Sequence, residues 1–366
     1  MQVILIGIMA SENELPNSLY SFSTLEMIST RDYILYIFMC CNRRFFINAS
    51  VEKLEGEGNL ADTLRRFCET IDDEDAMIEF EDWIYDALLE HLKVLIPPAS
   101  VSFKPAHLLE YFKPATFFFE LTNNRGTVQP VQLAFNPTIH KDPSPRIAIV
   151  DVKIEPNFVD IWPEDVNTNS ILRSTLPKLP VFLASQLTRA DKPGSIEDEM
   201  SLQPKLVRCI NTNEVFFFKA DSDGPSVSRE LDCLTKLQSI SDDQLRSRTS
   251  KLVGLVKWDD EDSLLGFLID PIEGCMLYEA AFEASKIDRL RWISQVEETV
   301  HRLHAYGIVW GDAQLKNVMV NLAGDAIVVD YGGGFAPEYL NPDLQNTKEG
   351  DLIALGKMKA ELLEDL

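Results

Sequence analysis

Positive charge is scarce in this chain: 34 lysines and arginines stand against 58 aspartates and glutamates, a formal net charge of −24. A field of that sign repels nucleic acid and anionic membrane, so neither is expected as a partner, and a basic or neutral partner fits better. Paired cysteines are missing too. The six cysteines, at 40, 41, 68, 209, 233 and 275, include no Cys-x-x-Cys and no obvious partner spacing, which favours free thiols in a reducing compartment over zinc or disulfides. Long apolar runs are absent as well. Residues 1–10 lack a basic leader and read as a buried strand, and residues 33–41 are rich in strand formers and too short to span a bilayer. These absences predict a cytoplasmic or nuclear protein. Of the five histidines, His91, His107 and His140 stand isolated, which suits structural or exposed roles better than metal binding or catalysis.

What is present is a chain of 366 residues, 45% of them hydrophobic, enough for two domains or for one with a large accessory part. Residues 33–41 and 44–49 form a hairpin pattern around Asn42-Arg43. Residues 52–69 read as loop and helix, and 76–94 as a helix with Ile84, Leu88, Leu89 and Leu92 at helical spacing. The acidic cluster at 71–75 suits the positive end of that helix dipole, and no loop here has calcium-ligand spacing. From 96 to 193 prolines interrupt strand-like pieces such as 116–121 and 147–154, the pattern of an extended segment wrapped on a neighbouring surface. A loop at 192–199 places the boundary near 195, giving an accessory region over 1–195 and a second domain over 196–366.

The second half carries the chemistry. Residues 207–220 form a hairpin across Asn211-Thr212-Asn213 and end near Lys219; read alone, that lysine is a strand end with its charge in water. Residues 226–240 form a helix with Leu231, Leu234 and Leu237 on one face and Glu230 just before them. Strands at 251–257 and 264–269 flank an acidic turn and complete an antiparallel sheet of four or five strands, followed by a connector, 270–274. A helix over 287–306 ends at Gly307. Then come a short strand at 308–310, a loop from Asp312 to Asn317, and a hairpin of 318–320 with 327–329. Asp330 ends the hairpin, eighteen residues after Asp312, so that both carboxylates can reach one cleft. An Asp with an Asn five residues on, then an Asp-aromatic-Gly turn, is the pattern that phosphoryl transfer with bound metal requires.

On these residues the second half resembles a protein-kinase-like domain, and the whole chain resembles the protein-kinase-like proteins of filamentous fungi. The resemblance implies a bilobal α+β fold with a small lobe at about 196–270 and a truncated large lobe at about 275–366, preceded by an α/β, proline-rich accessory region. It implies an ATP- and Mg-dependent phosphotransferase acting on an unidentified protein or small-molecule acceptor. Lys219 would hold the nucleotide phosphates and Glu230 would orient it. The connector at Asp270 and Ile272 would meet the adenine edge, with Pro271 offering no N–H. Asp312 would receive or orient the acceptor hydroxyl, and Asn317 and Asp330 would ligate magnesium.

Four departures accompany the resemblance. No glycine-rich loop precedes Lys219: the turn is 211–213, and Pro193-Gly194 is too far upstream. The family's His-Arg-Asp is Trp310-Gly311-Asp312, which leaves no arginine to receive an activation-loop phosphate. Gln314 replaces a lysine that would meet the γ-phosphate, so that either Lys316 substitutes from another angle or catalysis is weakened. Ala336-Pro337-Glu338 follows Asp330 too soon to end a peptide-docking loop. These departures keep open a pseudokinase or scaffold that binds a nucleotide or partner without catalysis, and a kinase-like cleft turned to other chemistry on a small molecule. Asp351, at the start of a final helix with Leu352, Leu355 and Met358 in register, is expected to support the catalytic-loop backbone.

Overall fold

The computed structural model describes residues 20, 22–41, 43–96, 107–136, 147–150, 169–172, 178–191, 203–220, 226–334 and 342–364. The expectations for residues 1–10, for 192–199, for His140 and for Ala336-Pro337-Glu338 lie outside them, as does much of the proline-interrupted stretch. The chain divides into two compact units, residues 1–144 with 191–203 and residues 145–190 with 204–366.

The first unit is a five-stranded sheet in sequence order: β1 (Ser23–Thr30), β2 (Tyr33–Cys40), β3 (Arg43–Ser50), β4 (Ala115–Asn124) and β5 (Thr127–Leu133). The β2–β3 hairpin has the expected place. Strands β3 and β4 are parallel, and a parallel pair needs a crossover. Here it holds α1 (Val51–Leu54), α2 (Leu60–Thr70), α3 (Glu74–Leu95) and α4 (Leu108–Phe112). Helix α3 buries Phe80, Ile84, Leu88 and Leu92, one stripe at helical spacing. The Asp73 carboxylate caps α3 by accepting from the Ala76 amide at 3.1 Å, so the acidic cluster serves the helix start.

In the second unit an eight-stranded sheet is built from β6 (Ile147–Val150), β7 (Asn169–Leu172), β8 (Val181–Leu183), β9 (Leu187–Arg189), β10 (Leu206–Cys209), β11 (Val215–Ala220), β12 (Leu252–Lys257) and β13 (Ser263–Ile269). The order β9-β10-β11-β13-β12 is antiparallel throughout. Parallel pairings of β12 with β8 and of β6 with β7 extend it beyond the four or five strands expected. The extra strands come from short pieces before residue 190, which lie on the accessory side of the boundary read near 195. Their pairing partners are distant in sequence, and local patterning does not reveal them. Gly194, read as too far upstream of Lys219, lies outside the described residues.

Between β11 and β12 lie α5 (Ser226–Ser239) and α6 (Asp243–Ser247). After β13 come β14 (Gly274–Met276), α7 (Leu277–Ala281), α8 (Lys286–Ala305), β15 (Val318–Asn321), β16 (Ala326–Val328) and α9 (Lys348–Glu364), with β14, β15 and β16 forming a small sheet. One core joins Leu231, Leu234 and Leu237 of α5 to Val296, Val300 and Leu303 of α8, to Trp310 and Tyr331, and to Leu355 and Met358 of α9. Leu352 faces outward instead. Residues 308–310, expected as a strand, pair with no strand: the Ile308 amide returns to the Leu303 carbonyl and the Trp310 amide goes to Asp351.

Candidate active site

Strand β11 presents Lys219 opposite Phe267 of β13, and α5 presents Glu230, 3% exposed. The ammonium lies 2.8 Å from both Glu230 carboxylate oxygens and 3.2 Å from Asp330 Oδ1. Burial works against the Lys219 charge, yet the carboxylates of Glu230 and Asp330 outweigh it and hold its pKa above the ordinary value. Burial pushes the Glu230 pKa up, Lys219 pulls it back, and Asp330 adds to the rise. One cation thus faces two carboxylates, which leaves a local excess of negative charge.

The second acidic group is built on the loop before β15. Asp312 Oδ2 accepts from Gln314 Nε2 at 2.6 Å and from Asn317 Nδ2 at 2.7 Å, and the same Asn317 nitrogen reaches the Asp312 carbonyl at 3.0 Å. Burial raises the Asp312 pKa, the two amide donors oppose it, Asp330 adds to it, and Lys316 lowers it from its exposed position. Below this loop Asp351, 2% exposed, accepts from the amides of Trp310 at 2.8 Å and Gly311 at 2.7 Å and contacts His304 Nε2 at 2.7 Å. The helix-borne carboxylate therefore fixes the loop backbone, as the sequence predicts. The Val329 amide donates to the Asn317 carbonyl at 3.1 Å, which brings Asn317 beside the strand that delivers Asp330.

Asp330 has φ 62, a left-handed backbone that costs a non-glycine residue roughly 1–2 kcal/mol. Its neighbours hold it there. Trp310 Nε1 donates to the carbonyls of Val329 and Asp330, each at 3.0 Å. The buried Tyr331 hydroxyl donates to the Val328 carbonyl at 3.1 Å, and Arg229 donates to the Tyr331 carbonyl. The glycines that follow fold back toward the loop: a Cβ placed on Gly334 would lie 2.7 Å from the Asp312 carboxyl carbon. A side chain there would displace the Asp312 carboxylate.

The structure therefore gathers Lys219, Glu230 and Asp330 in one cluster, places Asp312, Gln314 and Asn317 in another, and links the two through the Asn317 backbone. Lys316 is exposed at the rim. In the connector, the Asp270 amide already donates to the Lys251 carbonyl at 2.9 Å, and Ile272 is half-buried. Arg229 has no place in the sequence pattern, although it directly precedes Glu230. Among the described residues no helix is long and apolar enough to cross a membrane.

Protein-family models give no match to this sequence, and a search of curated proteins gives none. Among solved structures the chain is similar to PK-1, the kinase of Cydia pomonella granulovirus, at 19% identity and a TM-score of 0.37. That match covers 44% of this chain and 64% of the viral one, less than two thirds of its length. The second unit has a mixed α/β architecture.

Proposed function

We propose that the second unit is an ATP- and Mg-dependent phosphotransferase of protein-kinase-like fold, acting on a hydroxyl of a protein or small-molecule acceptor. The observation that carries the reading is the convergence of Lys219, Glu230 and Asp330 within 3.2 Å, beside a loop whose Asp312 and Asn317 are already oriented. The donor set fits a hard divalent cation. No group of three or more His, Cys, Asp or Glu could hold a metal among the described residues, and magnesium bound to a nucleotide needs only one or two protein carboxylates, the remaining ligands being phosphate and water. Asp330 and Asn317 would hold it, and the excess negative charge around Lys219 favours its arrival.

Magnesium supplies charge neutralisation at the phosphates. Lys219, kept cationic by its two carboxylates, binds phosphate oxygens, and Glu230 keeps it from swinging away. Asp312, whose burial raises its proton affinity, orients the acceptor hydroxyl and takes its proton. Lys316 meets transferring charge in place of the lysine that Gln314 replaces. The Asp270 amide being committed to the Lys251 carbonyl, adenine recognition falls to the carbonyl of Asp270 and the backbone of Ile272.

A second reading, a nucleotide-binding pseudokinase, is favoured by Gly334 lying against the Asp312 carboxylate and by Gln314 occupying Oδ2. Turnover separates the two. With ATP, magnesium and a panel of protein and small-molecule hydroxyl acceptors, the phosphotransferase gives product that Asp312→Asn abolishes while nucleotide affinity persists; saturable ATP binding with no product from any acceptor decides for the pseudokinase.

A further inference from the structure

We propose that Arg229 is a positioning residue, clamping helix α5 to both acidic loops and thereby fixing Glu230 and Lys219 relative to Asp330. Its NH1 donates to the Trp310 carbonyl at 3.1 Å and to the Tyr331 carbonyl, and its NH2 donates to the Val309 carbonyl at 2.8 Å. Two of those carbonyls stand just before Asp312 and the third just after Asp330, so one guanidinium joins three chain segments. The next residue in α5 is Glu230, whose carboxylate holds Lys219 and lies 3.5 Å from the Tyr331 amide. Any swing of α5 that parts Glu230 from Lys219 must break these bonds.

The loops are shaped around the clamp. Gly311 has φ 84, and a Cβ there would fall 2.5 Å from Arg229 NH2 and 2.5 Å from Asn346 Oδ1. The guanidinium thus fills the space that a side chain on the loop would take. Arginine alone suits the task, because its planar fork presents several N–H donors at fixed angles and stays charged, whereas a lysine ammonium on the same stem reaches a single point. Helix α5 is thus tied to both loops by a side chain of its own. What the alignment serves rests on the phosphotransferase reading; the clamp itself does not.

The test is hydrogen exchange read by mass spectrometry on the full chain without ligand, comparing wild type, Arg229→Ala and Arg229→Lys. The clamp predicts faster exchange in peptides from 226–239 and 309–334, on the order of tenfold for the alanine variant and less for lysine, as expected when charge-assisted bonds are lost. Peptides from β2 and β3 should not change. Unchanged exchange in α5 overturns the proposal. If the alanine variant loses protection everywhere, the lysine variant decides: acceleration confined to the two segments supports the clamp, and wild-type protection overturns it. ATP–magnesium affinity should also fall in Arg229→Ala, with no further fall when Glu230→Gln is added, since both act through Lys219; additive losses would contradict that route. If the wild-type chain binds no ATP, the nucleotide reading fails while the exchange result still decides the clamp.

Discussion

The two units build their polar networks differently. In the first, Glu81 accepts from the Tyr36 hydroxyl at 2.7 Å and from the Thr24 hydroxyl at 2.8 Å, and burial holds the Tyr36 hydroxyl protonated, far above its ordinary range. Around this set lie stacked rings, Phe38 with Phe45 at 5.1 Å and with Phe22 at 4.0 Å between centroids. In the second unit the cluster joins ions of both signs: Lys219 faces two carboxylates, and burial raises the Asp312 pKa. The first network holds one carboxylate among neutral hydroxyls; the cluster around Lys219 sets one cation against two carboxylates, a concentration of charge of the kind that gathers at functional sites.

The contrast can be broken from either side, beginning with its largest effect. Lys219→Ala would strand the buried Glu230 carboxylate, and denaturation should read a loss of ~3–5 kcal/mol, as for breaking one side of a buried ion pair. Adding Glu230→Gln should recover most of it; no recovery would mean that the charges are incidental to the packing. Asp351→Asn weakens the anchor for the Trp310 and Gly311 amides, with an expected stability loss of about 2 kcal/mol, and turnover should fall more than ATP affinity because the Asp312 loop is what moves. Tyr36→Phe in the first unit removes one donor to Glu81. It should cost about 1 kcal/mol and leave nucleotide binding untouched, and a change in binding would end the contrast between the units.

The smallest effect is one of pH. The Leu245 amide holds the Asp242 carboxyl below its ordinary value of 3.8, and Arg302 adds to the lowering. A depressed folded pKa means that the stabilisation is present above 3.8 and is lost as pH falls through the folded value. Asp242→Ala should therefore lower Tm slightly at neutral pH, with the gap from wild type closing below 3.8. A gap that widens in acid would reverse the sign.

Much of the site was legible because its elements are local. The leucine stripe of α5 fixes where Glu230 stands, and Asp312, Asn317 and Asp330 are spaced by one loop and one hairpin. Asp351 could be read because it begins a helix in register with the core. Arg229 was not legible: the carbonyls it binds are 80 to 102 positions away, and an arginine on a helix is ordinarily a surface residue. Nor was the width of the second sheet, since the strand-like pattern at 147–154 does not show that β6 pairs with β13, and β8, three residues long, joins through pairing with β12. The turn glycines at 311 and 334 could be seen as breakers; that their missing side chains make room for Arg229 and Asp312 is a property of packing.

The most direct test is calorimetric titration of ATP into wild type and Asp330→Asn, each with and without magnesium. One metal–nucleotide complex meeting Lys219, Asn317 and Asp330 predicts saturable binding by wild type that strengthens with magnesium, and an Asp330→Asn variant in which that strengthening is lost. Absence of binding by wild type, or an identical magnesium dependence in the variant, would contradict it.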